Sequence, residues 1–563
     1  MKQQLEHGKT STLIQVLNLL SKEKKVLFCA FNKDIVKEIE KKVSKELTNV
    51  DIRTVHSLGF LMIQRNFKGQ EIIPNENKYR QFIINNLDDI STIDISMLRY
   101  RDKMKYIDNV CDLVNFSRFY LVNSEKEMEK LIKKYDIDII ADEIDATINV
   151  LEWGKTYISE IDFTDMIWLP YVLDLKPIGL LYDYILGDEC QDFSVAQREL
   201  LLRCRKINTR MFLFGDKNQT IYAFCSADPQ SFDILKSLPN TSTLPLSISY
   251  RCAKNIVRFA QNVVSTIEHN EANKNDGEVK YNVELEEVQD GDMVLCRNNA
   301  PLMKIYNDFI RMGKKCQIRG KDIGTNLKRL VKSMHQDELN VSLEKDGLFV
   351  RLYDSLFEMR NKILKQTGLD MKSVMNDSRI TNKLDMIRAL EVLSEGLTTS
   401  EELITKIGSM FSDKKISGIS LSTIHKAKGL EAENVYIACP SLMPCKSATL
   451  DWEIEQEKNL MYVAYTRAKN KLCFINESDF KKLTDYTNDA LKNIEYQVNF
   501  ILGKTNEIIK YDANYSKHII SRAKTIVRPI KGSAKVLGEK PSSALTDNIN
   551  NLLIKNKKRI KKY

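Results

Sequence analysis

The sequence has no Cys-x-x-Cys pair among its 11 cysteines, and its six histidines, His7, His56, His269, His335, His425 and His518, fall at no spacing that completes a zinc site. A structural zinc module is excluded, and the thiols are expected to be reduced, in an intracellular compartment. No run of about 18 apolar residues occurs, and the N-terminus Met1-Lys2-Gln3-Gln4-Leu5-Glu6 lacks an apolar signal core. The chain therefore reads as neither secreted nor membrane-bound. No internal repeat with a period of about 20–50 residues is visible. Strong charge of one sign is also missing: Lys+Arg 85 against Asp+Glu 76 leaves +9, compatible with a polyanionic partner without requiring one. What is present is a 43% apolar content over 563 residues, enough for large cores, and a length that suggests about three or four domains.

The chain is organised around Leu186-Gly187-Asp188-Glu189-Cys190-Gln191-Asp192, which ends a run containing Leu180, Leu181, Tyr182, Tyr184 and Ile185. The run reads as a buried strand, and parallel α/β sheets place their ligands at strand ends. One carboxylate there can hold Mg²⁺ while its neighbour orients an attacking water. Taken alone, an Asp-Glu pair is more often a solvated acidic loop.

Upstream, Gly8-Lys9-Thr10 precedes Leu13, Val16, Leu17 and Leu20 at helical spacing, so it opens a helix and forms the second half of a P-loop. In such a loop the helix-terminal N–H groups and the Lys ammonium hold phosphates, and the Thr hydroxyl reaches Mg²⁺. The first half is absent: Gln3 stands where the pattern needs glycine, and Gly503-Lys504-Thr505 shows how readily the tripeptide recurs. Residues 26 to 31 form a strand candidate ahead of a helix with Ile35, Val36, Ile39 and Val43, the rhythm of a βα unit. Thr54-Val55-His56-Ser57-Leu58-Gly59 follows, then a tract at about 70–160 that reads as a helical insertion, then Asp162-Phe163-Thr164-Asp165.

Beyond the acidic turn, residues 210 to 214 form a strand running into Gly215-Asp216-Lys217-Asn218-Gln219, and a glutamine at a strand end can sense a phosphate. Tyr222 and Phe224 are either core aromatics or base-stacking residues, the latter contributing about 1–3 kcal/mol per base. Tyr250-Arg251, taken singly, reads as a surface pair. A second α/β unit begins near 270–291, with strands at 293–296, 417–422, 435–438 and 472–475, a helix at 301–310, a helical insertion at about 325–415, and a helix-like segment at 459–469. The tail from about 480 is polar and ends in Lys555-Asn556-Lys557-Lys558-Arg559-Ile560-Lys561-Lys562.

In this order, Thr54-to-Gly59, Asp188-to-Asp192, Gly215-to-Phe224, Tyr250-Arg251, Thr423-Ile424-His425-Lys426-Ala427-Lys428-Gly429-Leu430-Glu431 and Tyr462-to-Lys469 resemble the UvrD/Rep family of superfamily 1 DNA helicases. The phrasing Ala30-Phe31-Asn32-Lys33, with Cys296-to-Leu302 and Gly320-to-Gly324, looks closest to the F-box-linked and phage-type branch. The resemblance implies an α/β fold of two recA-like P-loop NTPase domains. The first spans 1–270, lacks its first strand and carries the insertion at about 70–160. The second spans 271–480 with a shorter insertion, and 481–563 is a basic tail. It implies ATP and Mg²⁺ as cofactors and 3′ to 5′ movement on single-stranded DNA, or on DNA with a 3′ single-stranded tail, in repair, recombination or replication. Repair or replication proteins are further partners, and no membrane is involved. The compartment would be cytoplasmic or nucleoid-associated in a bacterium or phage and nuclear in a eukaryote.

By the same resemblance Gly8, Lys9 and Thr10 bind the phosphates, Thr10 and Asp188 hold Mg²⁺, Glu189 orients the water and Gln219 senses the γ-phosphate. Tyr250 stacks on adenine, Glu431 binds ribose, and Arg251 and Arg467 neutralise charge developing on the γ-phosphoryl oxygens. Phe31, Thr54, His56, Tyr222, Phe224, Thr423 and His425 are the expected single-strand contacts. The incomplete P-loop and the missing strand before it set two expectations. The natural protein starts further upstream, or this form is an impaired remnant that binds single-stranded DNA or a protein partner without hydrolysing ATP. Loss of a central strand should also expose core and neighbouring strand edges.

Overall fold

A computed structural model describes residues 8–480 except 31–32, 44–47, 96–99, 136, 138, 140, 223–226, 335–338, 340–346, 368–372, 375 and 412–417. The chain forms two units. One comprises residues up to Arg251 together with Val263–Asn273, and the other Cys252–Asn262 and the chain from Lys274 onward. Length alone suggests more domains, but each large helical insertion shares a core with its own sheet and so adds no separate unit. Among the described residues no helix is long and apolar enough to cross a membrane.

The first unit is built on four parallel strands in the order β2-β1-β5-β6: β1 is Val26–Ala30, β2 Val50–Thr54, β5 Tyr182–Gly187 and β6 Arg205–Leu213. Two short parallel pairs flank them, β3 (Ile73–Pro74) with β4 (Glu160–Ile161) and β7 (Ile248–Ser249) with β8 (Glu268–His269). Every residue of β1 is buried, as expected of a parallel strand covered on both faces. Alternation divides its side chains between two cores. Val26, Phe28 and Ala30 pack with Leu13 and Leu17 of the helix Gly8–Leu19 and with Leu186, while Leu27 and Cys29 face Leu58, Met62, Trp168 and Leu200. β5 is hydrogen-bonded to β1 on one side and to β6 on the other, and β6 is the last strand of the sheet, with residues 205–208 exposed and Ile207 fully solvent-accessible.

The first insertion consists of helices, among them Lys78–Asn85, Tyr100–Tyr120, Glu125–Tyr135 and Ala141–Thr156. It is tied by buried charge to the segment that follows β4 and opens the helix Asp165–Val172. Arg118 donates to Asp162 through both terminal nitrogens, at 2.8 and 2.7 Å, and to Asp165 at 2.8 Å. Asp165 also accepts Lys78 Nζ at 2.7 Å and the Tyr79 hydroxyl at 2.5 Å. Two cations meet two carboxylates, so the buried cluster is neutral as a whole.

The second unit holds six parallel strands in the order β11-β12-β10-β13-β14-β9: β9 is Glu278–Val283, β10 Met293–Cys296, β11 Cys316–Ile318, β12 Ile419–Thr423, β13 Ala432–Ala438 and β14 Ala468–Ile475. The segment expected to be helical to 469 differs: the helix is Asp451–Tyr465, Thr466 caps it, and Ala468 already begins β14. Of the second insertion, Lys321–Ser333, Leu348–Thr367, Ser378–Leu393 and Ser400–Met410 are helices. Its Asp385 accepts the Asn299 and Ala300 N–H groups at 2.9 and 3.0 Å, capping the helix Asn299–Arg311 from outside and fixing the insertion to the sheet.

Candidate functional site

At the carboxyl end of β5 the chain turns back sharply. A Cβ on Gly187 would lie 2.8 Å from Cys190 Sγ, so the turn requires glycine there. Asp188 follows at 2% exposure, its N–H held by Cys29 O at 3.1 Å and its Oδ1 accepting the Glu189 N–H at 3.0 Å. Glu189 sits at φ 52°, a left-handed conformation that is costly for a residue other than glycine and that aims a half-buried carboxylate away from the strand. Cys190 N–H donates to Phe214 O at 2.9 Å and Phe214 N–H to Gly187 O at 2.8 Å, which stitches the ends of β5 and β6 together. Burial pushes the Cys190 thiol well above its ordinary range, so it is an inert core group.

Side chains extend this stitching. Gln191 Nε2 donates to Glu189 Oε2 at 2.5 Å, and Gln191 Oε1 accepts the Asp216 N–H at 3.0 Å. Asp216 in turn accepts Gln219 Nε2 at 2.8 Å and caps the short turn Lys217–Gln219 by accepting the Asn218 N–H at 3.0 Å. Glu189 and Gln219 thus stand at two ends of one hydrogen-bonded path. Gln191 and Asp216, to which no role is assigned from sequence, are its middle; their place inside the same two strand-end motifs was the available signal. Asp188 offers a hard oxygen donor, and Mg²⁺ is commonly held by one or two carboxylates completed by water and phosphate. No group of three or more His, Cys, Asp or Glu side chains that could hold a metal occurs among the described residues, so Asp188 fits a substrate-completed Mg²⁺ site and not a closed protein cage.

Gly8, Lys9 and Thr10 begin the helix Gly8–Leu19, but their side chains lie outside the described residues, as do Phe31 and Phe224 entirely. Thr54 and Thr423 are buried, and both hydroxyls shape the turn that follows: Thr54 Oγ1 accepts Ser57 N–H at 3.2 Å in a reciprocal capping box, and Thr423 Oγ1 accepts Lys426 N–H at 3.4 Å. His56 is half-buried, and burial lowers its basicity against the opposing pull of Asp162. Its ring meets that of Phe163 edge-on at 6.3 Å, and Phe163 is 48% exposed, a stacking surface without an assigned role in the sequence reading. Tyr222 is half-buried, whereas Tyr250 is 46% exposed and free to stack on a planar ligand. Arg251 beside it is half-buried.

In the second unit Gly429 takes φ +83° in the turn that presents Glu431, whose carboxylate pairs with Lys469 Nζ at 2.9 Å. His425 is depressed to about 3 by burial and by the nearby Arg297 and Lys426 charges, so its imidazole is neutral at physiological pH. Arg467 is only 1% exposed, and its guanidinium donates to Val463 O at 2.9 Å, Leu430 O at 3.1 Å and Thr466 Oγ1 at 3.3 Å. Reaching a phosphate requires it to exchange some of those bonds.

Residues 7–239 match the UvrD/REP helicase N-terminal domain, and residues 374–479 match the UvrD-like helicase C-terminal domain. The chain is 22% identical to the ATP-dependent DNA helicase Rep of Buchnera aphidicola subsp. Schizaphis graminum, over 83% of this chain and 89% of that protein. It is 23% identical to the ATP-dependent DNA helicase PcrA of Bacillus subtilis, over 96% and 89%. Identity to F-box DNA helicase protein 1 of Schizosaccharomyces pombe is 23%, over 83% of this chain and 54% of that longer protein. These identities are too close to one another to favour the F-box-linked branch.

Proposed function

Because the chain belongs to the UvrD/Rep family of DNA helicases, we propose that it is an ATP-dependent DNA helicase that moves 3′ to 5′ along single-stranded DNA in repair, recombination or replication. The observation that carries this reading is the path from Glu189 through Gln191 and Asp216 to Gln219. A carboxylate that orients water needs a fixed direction, and the short amide donor from Gln191 helps to set it for Glu189. Because the same path ends on Gln219, the state of a phosphate at that glutamine is linked to the aim of Glu189. Lys9 would pair with phosphate, Tyr250 would stack on adenine, Glu431 would accept from ribose hydroxyls, and Arg251 and Arg467 would take up charge on the transferred phosphoryl group. Mg²⁺ would be held by Asp188 and Thr10, where it would neutralise phosphate charge.

On the DNA side, His56, Phe163 and Tyr222 supply rings, and His425 in its neutral form is a hydrogen-bonding or stacking group and not a phosphate anchor. The test of polarity is strand displacement on duplexes with either a 3′ or a 5′ single-stranded tail. Release from the 3′-tailed duplex in the presence of ATP, with the 5′-tailed duplex intact, is the expected result. Preference for the 5′ tail reverses the proposed direction, and tight single-strand binding with no ATP turnover would favour a non-hydrolysing DNA-binding role.

A further inference from the structure

Glu457 lies near the middle of the helix Asp451–Tyr465 and faces inward, with its side chain 5% exposed. It grips Arg297, the residue that follows β10, through Nε to Oε1 at 3.0 Å, Nη2 to Oε1 at 2.8 Å and Nε to Oε2 at 3.3 Å. Oε2 also accepts the Cys445 N–H at 2.9 Å. A carboxylate so engaged joins three segments of the second unit by charge-assisted bonds that are hard to exchange for water.

Arg297 leaves the sheet beside the expected DNA-contacting turn. Cys296 pairs with Thr423 in register, and Cys296 O accepts the Ile424 N–H at 3.1 Å, so Arg297 and His425 start from adjacent strand ends. The turn is therefore anchored at its first residue next to the Glu457 clamp. Its other end, Leu430, is anchored by Arg467, which follows the cap of the Glu457 helix. The helix thus carries Glu457, which holds the residue after the Ile424 acceptor, and is followed beyond its cap by Arg467, which holds Leu430.

We propose that Glu457 is a positioning residue that couples Arg467 to the turn containing His425. When Arg467 exchanges the Leu430 carbonyl for a phosphoryl oxygen, one end of the turn is released while the Arg297–Glu457 clamp holds the other, so nucleotide binding re-aims the turn without dissolving it. The idea rests on the ATP-driven reading above. It goes beyond that reading in assigning a role to a residue that touches neither nucleotide nor DNA. The chemistry is electrostatic and positional, with no bond made or broken covalently.

The test compares the full chain with Glu457→Gln and Glu457→Asp. Four quantities are read: ATP hydrolysis without DNA, its stimulation by an oligothymidylate, affinity for that oligonucleotide with and without a non-hydrolysable ATP analogue, and the thermal midpoint. Glu457→Gln is expected to leave DNA-free hydrolysis unchanged while stimulation falls by about tenfold and the analogue no longer alters oligonucleotide affinity. Glu457→Asp should recover part of both. A purely structural role would lower the midpoint and scale free and stimulated hydrolysis together, which overturns the proposal. So does a Glu457→Gln protein with wild-type stimulation. If Glu457→Gln does not fold, Glu457→Asp decides by the same ratio. If the unaltered chain neither hydrolyses ATP nor binds the oligonucleotide, the helicase reading itself falls and takes the coupling with it.

Discussion

The Gln191 side-chain amide donates to the Glu189 carboxylate at 2.5 Å while its own oxygen accepts the Asp216 N–H at 3.0 Å. Glu189 is thereby aimed by a neighbour two residues away and tied to the end of the next strand. The left-handed backbone at Glu189 sets where this carboxylate leaves the chain, and the Gln191 amide adds to its direction.

Replacing Gln191 with alanine is expected to lower the ATP turnover number by about 10- to 100-fold, the equivalent of a hydrogen bond to a charged group. Binding of a fluorescent ATP analogue should change little, because Gln191 is not expected to touch the nucleotide. Steady-state hydrolysis and equilibrium titration measure the two quantities separately. A parallel loss of binding and turnover would place Gln191 in the binding pocket and not behind Glu189.

Arg467 should show two phenotypes at once. Its guanidinium satisfies the Val463 and Leu430 carbonyls inside the second unit, so Arg467→Ala should cost about 1–3 kcal/mol of stability. As the residue expected to meet developing phosphoryl charge, it should also cost about 10³–10⁵ in turnover. Denaturant melts and DNA-stimulated hydrolysis check both. A stable variant with near-normal turnover would remove Arg467 from the mechanism.

The buried cluster of Arg118, Asp162, Asp165 and Lys78 makes a stability prediction independent of ATP. Asp165→Asn removes one carboxylate and leaves two buried cations facing one, which should destabilise the first unit by about 3–5 kcal/mol. Thermal unfolding followed by tryptophan fluorescence reports it, since Trp153 and Trp168 pack around the cluster. An unchanged midpoint would mean that the insertion is held by its apolar contacts alone.

Glu391, in the helix Ser378–Leu393, is pushed up to about 7 by burial, against the hydrogen bond from the Tyr353 hydroxyl at 2.8 Å and the charge of Arg388. The folded chain therefore holds a proton there at pH values where the unfolded chain, with an ordinary value of 4.5, has lost it. The stabilisation is fully present below the unfolded value and is lost as pH rises through 7. Glu391→Gln should accordingly gain about 3 kcal/mol relative to wild type at pH 8 and little at pH 4.5. Thermal midpoints across that range test the sign, and a gain confined to low pH would contradict it.

Much of the framework was legible in the sequence because it is written in local patterns. The fully apolar runs of β1 and β10 announce strands covered on both faces, and Asp188-Glu189 marks a strand end by its change in polarity. Strand starts were harder: β6 begins at Arg205 because its first residues are polar and exposed and so carry no alternation. What remained hidden was pairing between polar groups far apart in the chain. Gln191 with Asp216, Arg118 with Asp162 and Arg297 with Glu457 are each ordinary surface types when read singly. Gln191 meets Asp216 because β5 and β6 pair side by side, whereas the other two pairs are made by helices packing against a loop or a strand end, contacts that no window of residues contains.

The most direct measurement is ATP hydrolysis by the chain with and without single-stranded DNA, beside Glu189→Gln. The unaltered chain is expected to hydrolyse ATP faster when DNA is added, and Glu189→Gln to bind nucleotide and DNA yet turn over at background. Equal hydrolysis by the two, or nucleotide binding by the unaltered chain with no turnover at any DNA concentration, would contradict the assignment of the acidic turn as the water-activating centre of a DNA motor.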